Sequence, residues 1–224
     1  MTTLIIATRN AHKVGEIQAV LGPAFRYLSL ADFPGTPKVI EDAPSFAGNA
    51  VKKARELARW MQALPMLDVR VPGDRAYVLA DDSGLEVDAL NGAPGVHSAR
   101  FAALDAAGSV PGENSSDADN NAKLLRLLAS VPEGRRQARF RCVLALMQVK
   151  PPQPMLAGHT FEGACEGRIG FGPRGNAGFG YDPLFLPEGG DASFAELGED
   201  RKNAISHRSK ALARMQAALG SLIR

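Results

Sequence analysis

The first 22 residues constrain the fold more than any other stretch, because they place a strand, a short loop and a helix in that order. Leu4–Thr8 is a compact apolar run that is typical of a buried strand. After Arg9-Asn10, apolar residues recur at helical spacing until Gly22-Pro23 ends the pattern. These apolar residues are Val14, Ile17, Val20 and Leu21. A chain that starts in this way is expected to build a sheet covered by helices.

The rest of the chain repeats these two kinds of pattern. Apolar stripes at helical spacing predict helices within 46–61, 124–128 and 205–222. Apolar or alternating runs predict strands at 77–80, 140–146 and 159–168, the last two as an antiparallel pair. Turn-rich stretches predict loops at 105–117 and 170–181. We therefore expect an α/β fold in which a mixed central sheet is flanked by helices.

Composition limits the partners that this chain can have. The net charge is +2 and the 26 basic residues are scattered, so neither nucleic acid nor an anionic membrane is expected as a partner. The two cysteines, Cys142 and Cys165, cannot form a disulfide framework or a zinc cage, and we interpret both as buried apolar side chains. Because neither a signal-peptide core nor a run of ~20 apolar residues occurs, we expect a cytoplasmic protein.

Thr8–Lys13, with the sequence TRNAHK, lies between the predicted first strand and the first helix. A helix N-terminus carries free N–H groups and the positive end of the helix dipole, so it attracts phosphate. Thr8 and Asn10 add hydrogen-bonding groups, and Lys13 adds a positive charge. Ordinary capping by Asn10 beside a solvent-facing lysine explains the same residues, and for this motif alone it is the simpler interpretation.

Asp81 and Asp82 follow the predicted strand at 77–80. Successive side chains of a strand point to opposite faces, so we expect only one of the two to face a given site. Mg²⁺ takes one or two protein carboxylates together with substrate phosphates, and Glu41, just before the second helix, could supply another acid. The alternative is a solvated acidic loop.

Two later motifs could contact a flat or anionic ligand. In residues 175–183, GNAGFGYDP, the glycines permit close backbone approach and Phe179 or Tyr181 could stack on a ring. The alternative there is a surface turn with an aromatic plug. In residues 201–211, RKNAISHRSKA, His207 and Arg208 leave a helix about 100° apart and could both contact one ligand. A solvated basic face is the alternative there.

Taken in order, these motifs resemble one family, the inosine triphosphate pyrophosphatases, also called non-canonical purine nucleoside triphosphate pyrophosphatases. The resemblance runs nearly end to end, and six or more spaced motifs in the same order argue strongly against a chance similarity. The motifs are TRNAHK, SFAGNAVKKA, ADDSGLEVDALNGAPGVHSARF, DADNNAKLL, RQARFRCVL, GFGYDPLF and KNAISHRSKAL.

The resemblance implies one domain over residues 1–224, with a long mixed sheet, two lobes around an active-site cleft, and assembly as a homodimer. It implies Mg²⁺-dependent hydrolysis of ITP, dITP and XTP to the monophosphate and pyrophosphate. Asp82 matches the metal-binding base for the attacking water, Glu41 matches a second metal ligand, and Asp81 is expected to support them. The implied substrate-binding residues are Thr8, Arg9, Asn10, Ala11, His12, Lys13 and Lys53 toward the phosphates, with Ser83, Phe179, Gly180, Tyr181, Asp182, Lys202, His207 and Arg208 elsewhere on the nucleotide.

The chain departs from that family in two places. Gly48 stands where bacterial members often carry glutamate, so a supporting acid is absent there. Residues 65–76 and 105–117 look longer than in compact members, and we interpret both as peripheral. A pyrophosphatase for other modified nucleotides and a catalytically silent nucleotide-binding protein are the competing hypotheses. The acids and lysines implied in catalysis keep their chemical type here, which a silent binding protein would not require.

Overall fold

The structure, a computed structural model, describes residues 1–64, 71, 75–105, 113–149 and 158–222. Its strands are β1 (Thr2–Ile6), β2 (Phe25–Ser29), β3 (Ala76–Val87), β4 (Gln137–Gln148), β5 (His159–Ile169) and β6 (Phe185–Pro187). Its helices are α1 (Ala11–Leu21), α2 (Phe46–Gln62), α3 (Asp117–Leu127), α4 (Phe194–Leu197), α5 (Glu199–Ile205) and α6 (His207–Leu222). Each predicted strand and helix is found, with bounds that differ from the prediction. Most of 65–76 and 105–117 lies outside the described residues.

The strands form one mixed sheet in the order β2-β1-β3-β4-β5-β6. β1 is parallel to both of its neighbours, with Ile6 beside Ser29 of β2 and beside Leu79 of β3. β5 and β6 are antiparallel, with Arg168 opposite Leu186. The expected α/β fold with a mixed central sheet is therefore confirmed. None of the helices in the described ranges is long and apolar enough to cross a membrane.

The chain divides into two compact units, each with its own apolar core. Unit 1 comprises Met1–Asp82, Cys142–Glu162 and Arg208–Arg224, and unit 2 comprises Ser83–Arg141 and Gly163–His207. The core of unit 1 includes Leu4, Ile17, Leu79, Leu144 and Met215. The core of unit 2 includes Leu85, Phe101, Leu124, Phe140 and Phe185. The expectation of a single domain over residues 1–224 stays a prediction.

Strand β3 is longer than predicted and contains both aspartates. The prediction ended the strand at Ala80, directly before the aspartates. In the structure the strand continues to Val87, and Asp81 and Asp82 are buried within it. Ion pairs with other residues of unit 1 compensate for the burial of Asp81, as described below. The alternative of a solvated acidic loop is therefore wrong for these two residues.

The predicted C-terminal helix is divided at Ser206. Helix α5 ends at Ile205, the backbone of Ser206 is extended with φ −66° and ψ 158°, and α6 begins at His207. Lys202 therefore lies on α5, whereas His207 and Arg208 open α6. All three basic side chains are buried, so the alternative of a solvated basic face is wrong for them.

Candidate active site

The carboxyl ends of β1 and β3 bring charged residues of unit 1 to one edge of the sheet. The chain leaves β1 for β2 on one side and later enters β3 on the other, which makes this edge a topological switch point. Open α/β sheets commonly bind ligands at such points. The backbone N–H of Ala7 donates to the carbonyl of Leu79 at 2.8 Å, so the segment after Ala7 lies beside Asp81 and Asp82.

The segment Thr8–Lys13 caps helix α1. Asn10 Oδ1 accepts from the backbone N–H of His12 at 2.9 Å and of Lys13 at 3.3 Å, and Thr8 Oγ1 accepts from the N–H of Asn10 at 3.1 Å. Capping by Asn10 is therefore confirmed. Lys13 is not the solvent-facing lysine of the simpler interpretation, because its ammonium is paired with the carboxylate of Asp81. The exposed residues of the segment are Arg9, Asn10, Ala11 and His12.

Asp81 is a buried carboxylate whose charge is compensated from several sides. Arg208 Nε donates to Asp81 Oδ2 at 2.9 Å, the ammonium of Lys13 pairs with Oδ1, and the thiol of Cys142 donates to Oδ2 at 3.2 Å. Burial alone would raise the pKa of Asp81, but the Arg208 and Lys13 charges hold that pKa well below its ordinary value. Asp81 is therefore an ionised structural anchor.

Asp82, the next residue, is also buried but is compensated much less. Burial raises the pKa of Asp82 to about 6; the charges of Lys53 and Lys13 act against the rise and the carboxylate of Glu41 adds to it. Its Oδ2 atom is buried and has no hydrogen-bonding partner within the described part of the chain. A buried carboxylate oxygen without a partner is uncommon, and it marks this residue as a candidate for ligand or metal contact.

Glu41 and Lys53 complete the charged group around Asp82. The Lys53 ammonium is paired with Glu41 and also donates to the backbone carbonyl of Asp81 at 3.0 Å. Two carboxylates, one of them with an unsatisfied oxygen, fit the one or two protein ligands that Mg²⁺ takes when phosphates supply others. Groups of three or more acidic, histidine or cysteine side chains suited to a metal do not occur among the described residues.

The loop of unit 2 at 175–183 is organised by Asp182. Its Oδ2 accepts from the Lys202 ammonium at 2.7 Å and from the backbone N–H of Phe179 at 3.0 Å. Gly178 has φ +78°, and a Cβ atom there would lie 2.1 Å from Asp182 Oδ2, so only glycine fits. Lys202 also lies over the Phe179 ring, 4.8 Å from its centroid. Charge and backbone geometry together hold this turn in place.

The aromatic residues of that loop have different environments. Tyr181 is buried in the unit 2 core and its hydroxyl donates to the carbonyl of Ser98 at 2.9 Å, so its ring is a packing element. Phe179 is partly exposed. The buried ring of His207 stacks on Phe140 with centroids 4.8 Å apart. Of the two predicted stacking residues, Phe179 is the accessible one.

Relatives of known name match this chain over nearly its whole length. The profile of the Ham1 family matches residues 4–218. The chain belongs to the Ham1 family. It is 48% identical over 221 residues to the dITP/XTP pyrophosphatase of Geobacter sulfurreducens, covering 98% of each chain. It is 46% identical over 220 residues to the dITP/XTP pyrophosphatase of Desulforamulus reducens, covering 98% of this chain and 96% of the relative. The solved structure of a HAM1 protein from Coxiella burnetii matches with a TM-score of 0.77 and 34% identity, over 99% of this chain and 100% of that chain.

Arg208 has a different environment in this Ham1 protein from the one that the motif suggested. Its guanidinium is 1% exposed and is paired with Asp81 and with Glu16 of α1. Both acids belong to unit 1, as Arg208 does, whereas His207 belongs to unit 2. The Arg208 side chain therefore holds the Asp81 carboxylate in place, and its predicted contact with substrate stays a prediction.

Three residues of the Ham1 site were not predicted as functional. Glu16 pairs with Arg208, Cys142 donates to Asp81, and Asn49 of α2 acts on Asp82. For Glu16 and Asn49, helical spacing in the sequence could have indicated a place near the site. Glu16 lies three residues after Lys13, and Asn49 lies four residues before Lys53, so each shares a helix face with a predicted site residue.

Gly48, where the sequence analysis expected a departure from the family pattern, lies in the first turn of α2. Its N–H donates to the N-cap Ser45 Oγ at 3.1 Å, and a Cβ atom at this position would lie 2.7 Å from the Cβ of Ala43. Any larger residue would therefore require a local shift of the segment before α2.

Proposed function

We propose that this Ham1 protein hydrolyses ITP, dITP and XTP to the nucleoside monophosphate and pyrophosphate. The observation that carries the proposal is the environment of Asp82, a buried carboxylate with a raised pKa and an unpartnered oxygen beside two lysines and a second acid. General bases work best when their pKa lies near the operating pH, and burial provides that shift here. The names of the relatives supply the substrate class.

The phosphates are assigned to the segment Thr8–Lys13 and to Lys53. The exposed residues of that segment lie at the start of α1, where the dipole and unsatisfied N–H groups favour an anion. Lys13 and Lys53 place two ammonium groups near the aspartates, and both lower the pKa of Asp82. Negative charge that develops on a leaving pyrophosphate would be stabilised by the same two groups.

Mg²⁺ is the proposed cofactor, with Glu41 and Asp82 as its protein ligands. When bound, Mg²⁺ neutralises phosphate charge and orients the reacting groups. Asp82 removes a proton from a water molecule while the water oxygen bonds to the α-phosphorus. The bond from the α-phosphorus to the oxygen that bridges to the β-phosphorus then breaks, and its electron pair leaves on pyrophosphate.

The base and sugar are assigned to Ser83, Phe179–Asp182, Lys202, His207 and Arg208. Phe179 offers a partly exposed ring for stacking, which Lys202 and Asp182 hold in position. Because the Arg208 guanidinium is engaged by acids, donors to the O6 atom of the base are assigned to backbone N–H groups. Adenine presents an amino donor at that position, and an unpaired buried polar group costs on the order of 1–3 kcal/mol.

The test is incubation with Mg²⁺ and ITP, dITP, XTP, GTP or ATP, with pyrophosphate and orthophosphate measured separately. Pyrophosphate from ITP, dITP and XTP, with much slower turnover of ATP and GTP, is expected. Release of orthophosphate would contradict the assignment of the cleaved bond. Comparable rates on ATP and ITP would contradict the donor pocket. Absence of turnover with tight nucleotide binding would favour a silent binding protein.

Asp82→Asn gives the matching test of the base. Turnover of ITP should fall by at least ~100-fold, the usual contribution of a positioned general base, while ITP binding is largely retained. Turnover close to that of the parent would remove Asp82 from this role. The proposal also includes a cytoplasmic homodimer, as the family resemblance implies. Light scattering after size exclusion checks the assembly.

A further inference from the structure

Two side chains of helix α3 bind the backbone of Gly180, in the loop of unit 2 that carries Phe179. Asp117 Oδ2 accepts from the Gly180 N–H at 2.7 Å, and Asn121 Nδ2 donates to the Gly180 carbonyl at 3.0 Å. Asp117 and Asn121 are four residues apart and so lie on one face of the helix. Together they fix the two peptide units that meet at Gly180.

Packing does not fix the conformation of Gly180. Its φ is +62°, in the left-handed region, and a Cβ atom built there would have no described atom within 4 Å beyond its chain neighbours. Gly178 differs, because a Cβ atom there would lie 2.1 Å from Asp182 Oδ2. A glycine without such crowding can adopt many backbone conformations. The hydrogen bonds with Asp117 and Asn121 therefore select the observed conformation of Gly180.

The orientation of the Asn121 amide follows from its partner. A carbonyl oxygen can only accept, so the atom that faces Gly180 is the nitrogen and Oδ1 points away. That oxygen is buried and has no hydrogen-bonding partner among the residues that the structure describes. An unsatisfied buried acceptor costs stability. Asparagine is therefore a poor residue for packing at this position, and the donor Nδ2 is what an apolar residue of similar size would lack.

The rest of the loop is anchored on either side of Gly180. Before it, the N–H of Phe179 donates to Asp182 Oδ2 at 3.0 Å. After it, the hydroxyl of Tyr181 donates to the Ser98 carbonyl at 2.9 Å. A rotation about the Gly180 backbone would change the direction of the Phe179 ring relative to Tyr181. The position of that partly exposed ring therefore depends on the two contacts from α3.

We propose that Asp117 and Asn121 are positioning residues that fix this loop in its base-binding conformation before the nucleotide arrives, and thereby set the affinity and selectivity for the purine base. The inference rests on the proposed function, which assigns the base to this loop. A loop that must be ordered during binding loses affinity to the entropy of ordering, and a loop that is already ordered does not. The effect belongs to binding of the base, because the residues assigned to the phosphates and to bond cleavage are in unit 1.

The contact of Asp117 can be tested with a conservative rescue and a matched control. Asp117→Ala removes the acceptor for the Gly180 N–H, whereas Asp117→Asn keeps an oxygen that can accept. Asp119→Ala is the control, because Asp119 is an exposed acid in the same first turn of α3 whose carboxylate accepts from the Ser116 hydroxyl at 2.6 Å. The two alanine variants lose the same charge from the same turn and differ in the contact with Gly180.

The contact of Asn121 has a control in the next residue towards the N-terminus. Asn121→Leu removes the donor to Gly180 together with the unsatisfied oxygen. The amide of Asn120 holds a different segment, accepting from the Ala102 N–H at 2.8 Å and donating to the Ala99 carbonyl at 3.3 Å. Asn120→Leu should lower the melting temperature, because a buried residue loses two hydrogen bonds. Asn121→Leu should melt close to the parent, because the loss of its bond is offset by removal of the unsatisfied oxygen.

The measurements are KM and kcat for ITP and ATP, and the dissociation constants of inosine monophosphate, which carries the base, and of tripolyphosphate, which lacks it. Asp117→Ala and Asn121→Leu should raise KM for ITP and weaken inosine monophosphate binding by about five- to tenfold, as expected for the loss of one hydrogen bond. Both should keep kcat and tripolyphosphate binding within about twofold of the parent and reduce the preference for ITP over ATP. Asp117→Asn and the two controls should stay within about threefold of the parent in every measurement.

Unchanged KM and unchanged inosine monophosphate binding in both variants would overturn the inference and leave the proposed function intact. Equal weakening of tripolyphosphate binding, or the same losses in Asp119→Ala and Asn120→Leu, would reduce the effect to general stability and also overturn it. If Asn121→Leu does not fold, the comparison of the Asp117 variants decides. A parent that releases no pyrophosphate from ITP would overturn the proposed function, and the inosine monophosphate titrations would then still support or overturn the role of the two residues.

Discussion

Asp81 and Asp82 are adjacent on β3 and point to opposite faces of the strand, and their carboxylates have very different partners and pKa values. On one face, Asp81 meets Arg208, Lys13 and the thiol of Cys142, and its pKa lies well below the ordinary value. On the other, burial raises the pKa of Asp82 to about 6 and one of its oxygens has no protein partner in the described ranges. Both residues are buried to a similar extent.

The difference teaches that burial alone does not make a carboxylate reactive. A buried charge with a complete set of partners is stable and inert, whereas a buried charge with an incomplete set retains a tendency to bind a proton or a cation. Asp81 therefore fixes Lys13 and Arg208 in place, and Asp82 is left for chemistry. This contrast can be tested by removing the partners of Asp81 or the charge of Asp82.

The largest effect is expected for Arg208→Met, which leaves the Asp81 carboxylate with one cationic partner. Removing one member of a buried ion pair costs about 3–5 kcal/mol, because the remaining charge is uncompensated. Urea denaturation should show this loss in the free energy of unfolding. Lys210→Met removes the same charge from an exposed position of the same helix and should change stability by less than about 0.5 kcal/mol. Equal losses in the two variants would show that Asp81 does not depend on Arg208.

Asp82→Asn is expected to raise the free energy of unfolding when a metal chelator is present, whereas Arg208→Met lowers it. The folded protein binds the Asp82 proton more tightly than the unfolded chain, so stability falls as the pH rises from 3.8 to about 6 and the cost is complete above that range. A shift of two pKa units corresponds to about 3 kcal/mol, so the variant should be more stable than the parent by up to that amount at pH 8.

The same substitution at the neighbouring position provides the contrast. Asp81→Asn should destabilise the protein at pH 8, because it leaves Arg208 and Lys13 without their shared acceptor. The advantage of Asp82→Asn over the parent should disappear well below pH 3.8, where this carboxyl is protonated in both the folded and the unfolded parent chain. A destabilising effect of Asp82→Asn at pH 8 without metal would contradict the contrast between the two faces.

Most of the fold could be predicted from the sequence, because strand and helix patterns are local. The run Leu4–Thr8 and the helical stripe in 46–61 needed no distant partner to be recognised. The error at β3 had a physical cause, since two adjacent carboxylates end a strand unless something neutralises them. The group that neutralises Asp81 is Arg208, 127 residues later in the chain. No local pattern contains that information.

The candidate site could be predicted in outline but not in its division of roles. Motif order pointed to Asp82, Glu41, Lys13 and Lys53, which the structure places in one unit. The sequence analysis assigned no role to Asn49. Its burial, its contact with the Ala43 N–H and its effect on the pKa of Asp82 are visible only in the structure.

The smallest effect is expected for Cys142→Ala, which removes the weakest donor to Asp81. The loss should be about 1 kcal/mol greater than for Cys165→Ala, since one hydrogen bond to a buried group contributes roughly that much. Cys165 is also buried, but its thiol lies 3.8 Å from a neutral backbone carbonyl. Chemical denaturation of the two variants measures the difference directly. Equal losses would mean that Arg208 and Lys13 alone satisfy Asp81. The thiol of Cys142 on β4 would then contribute only by packing.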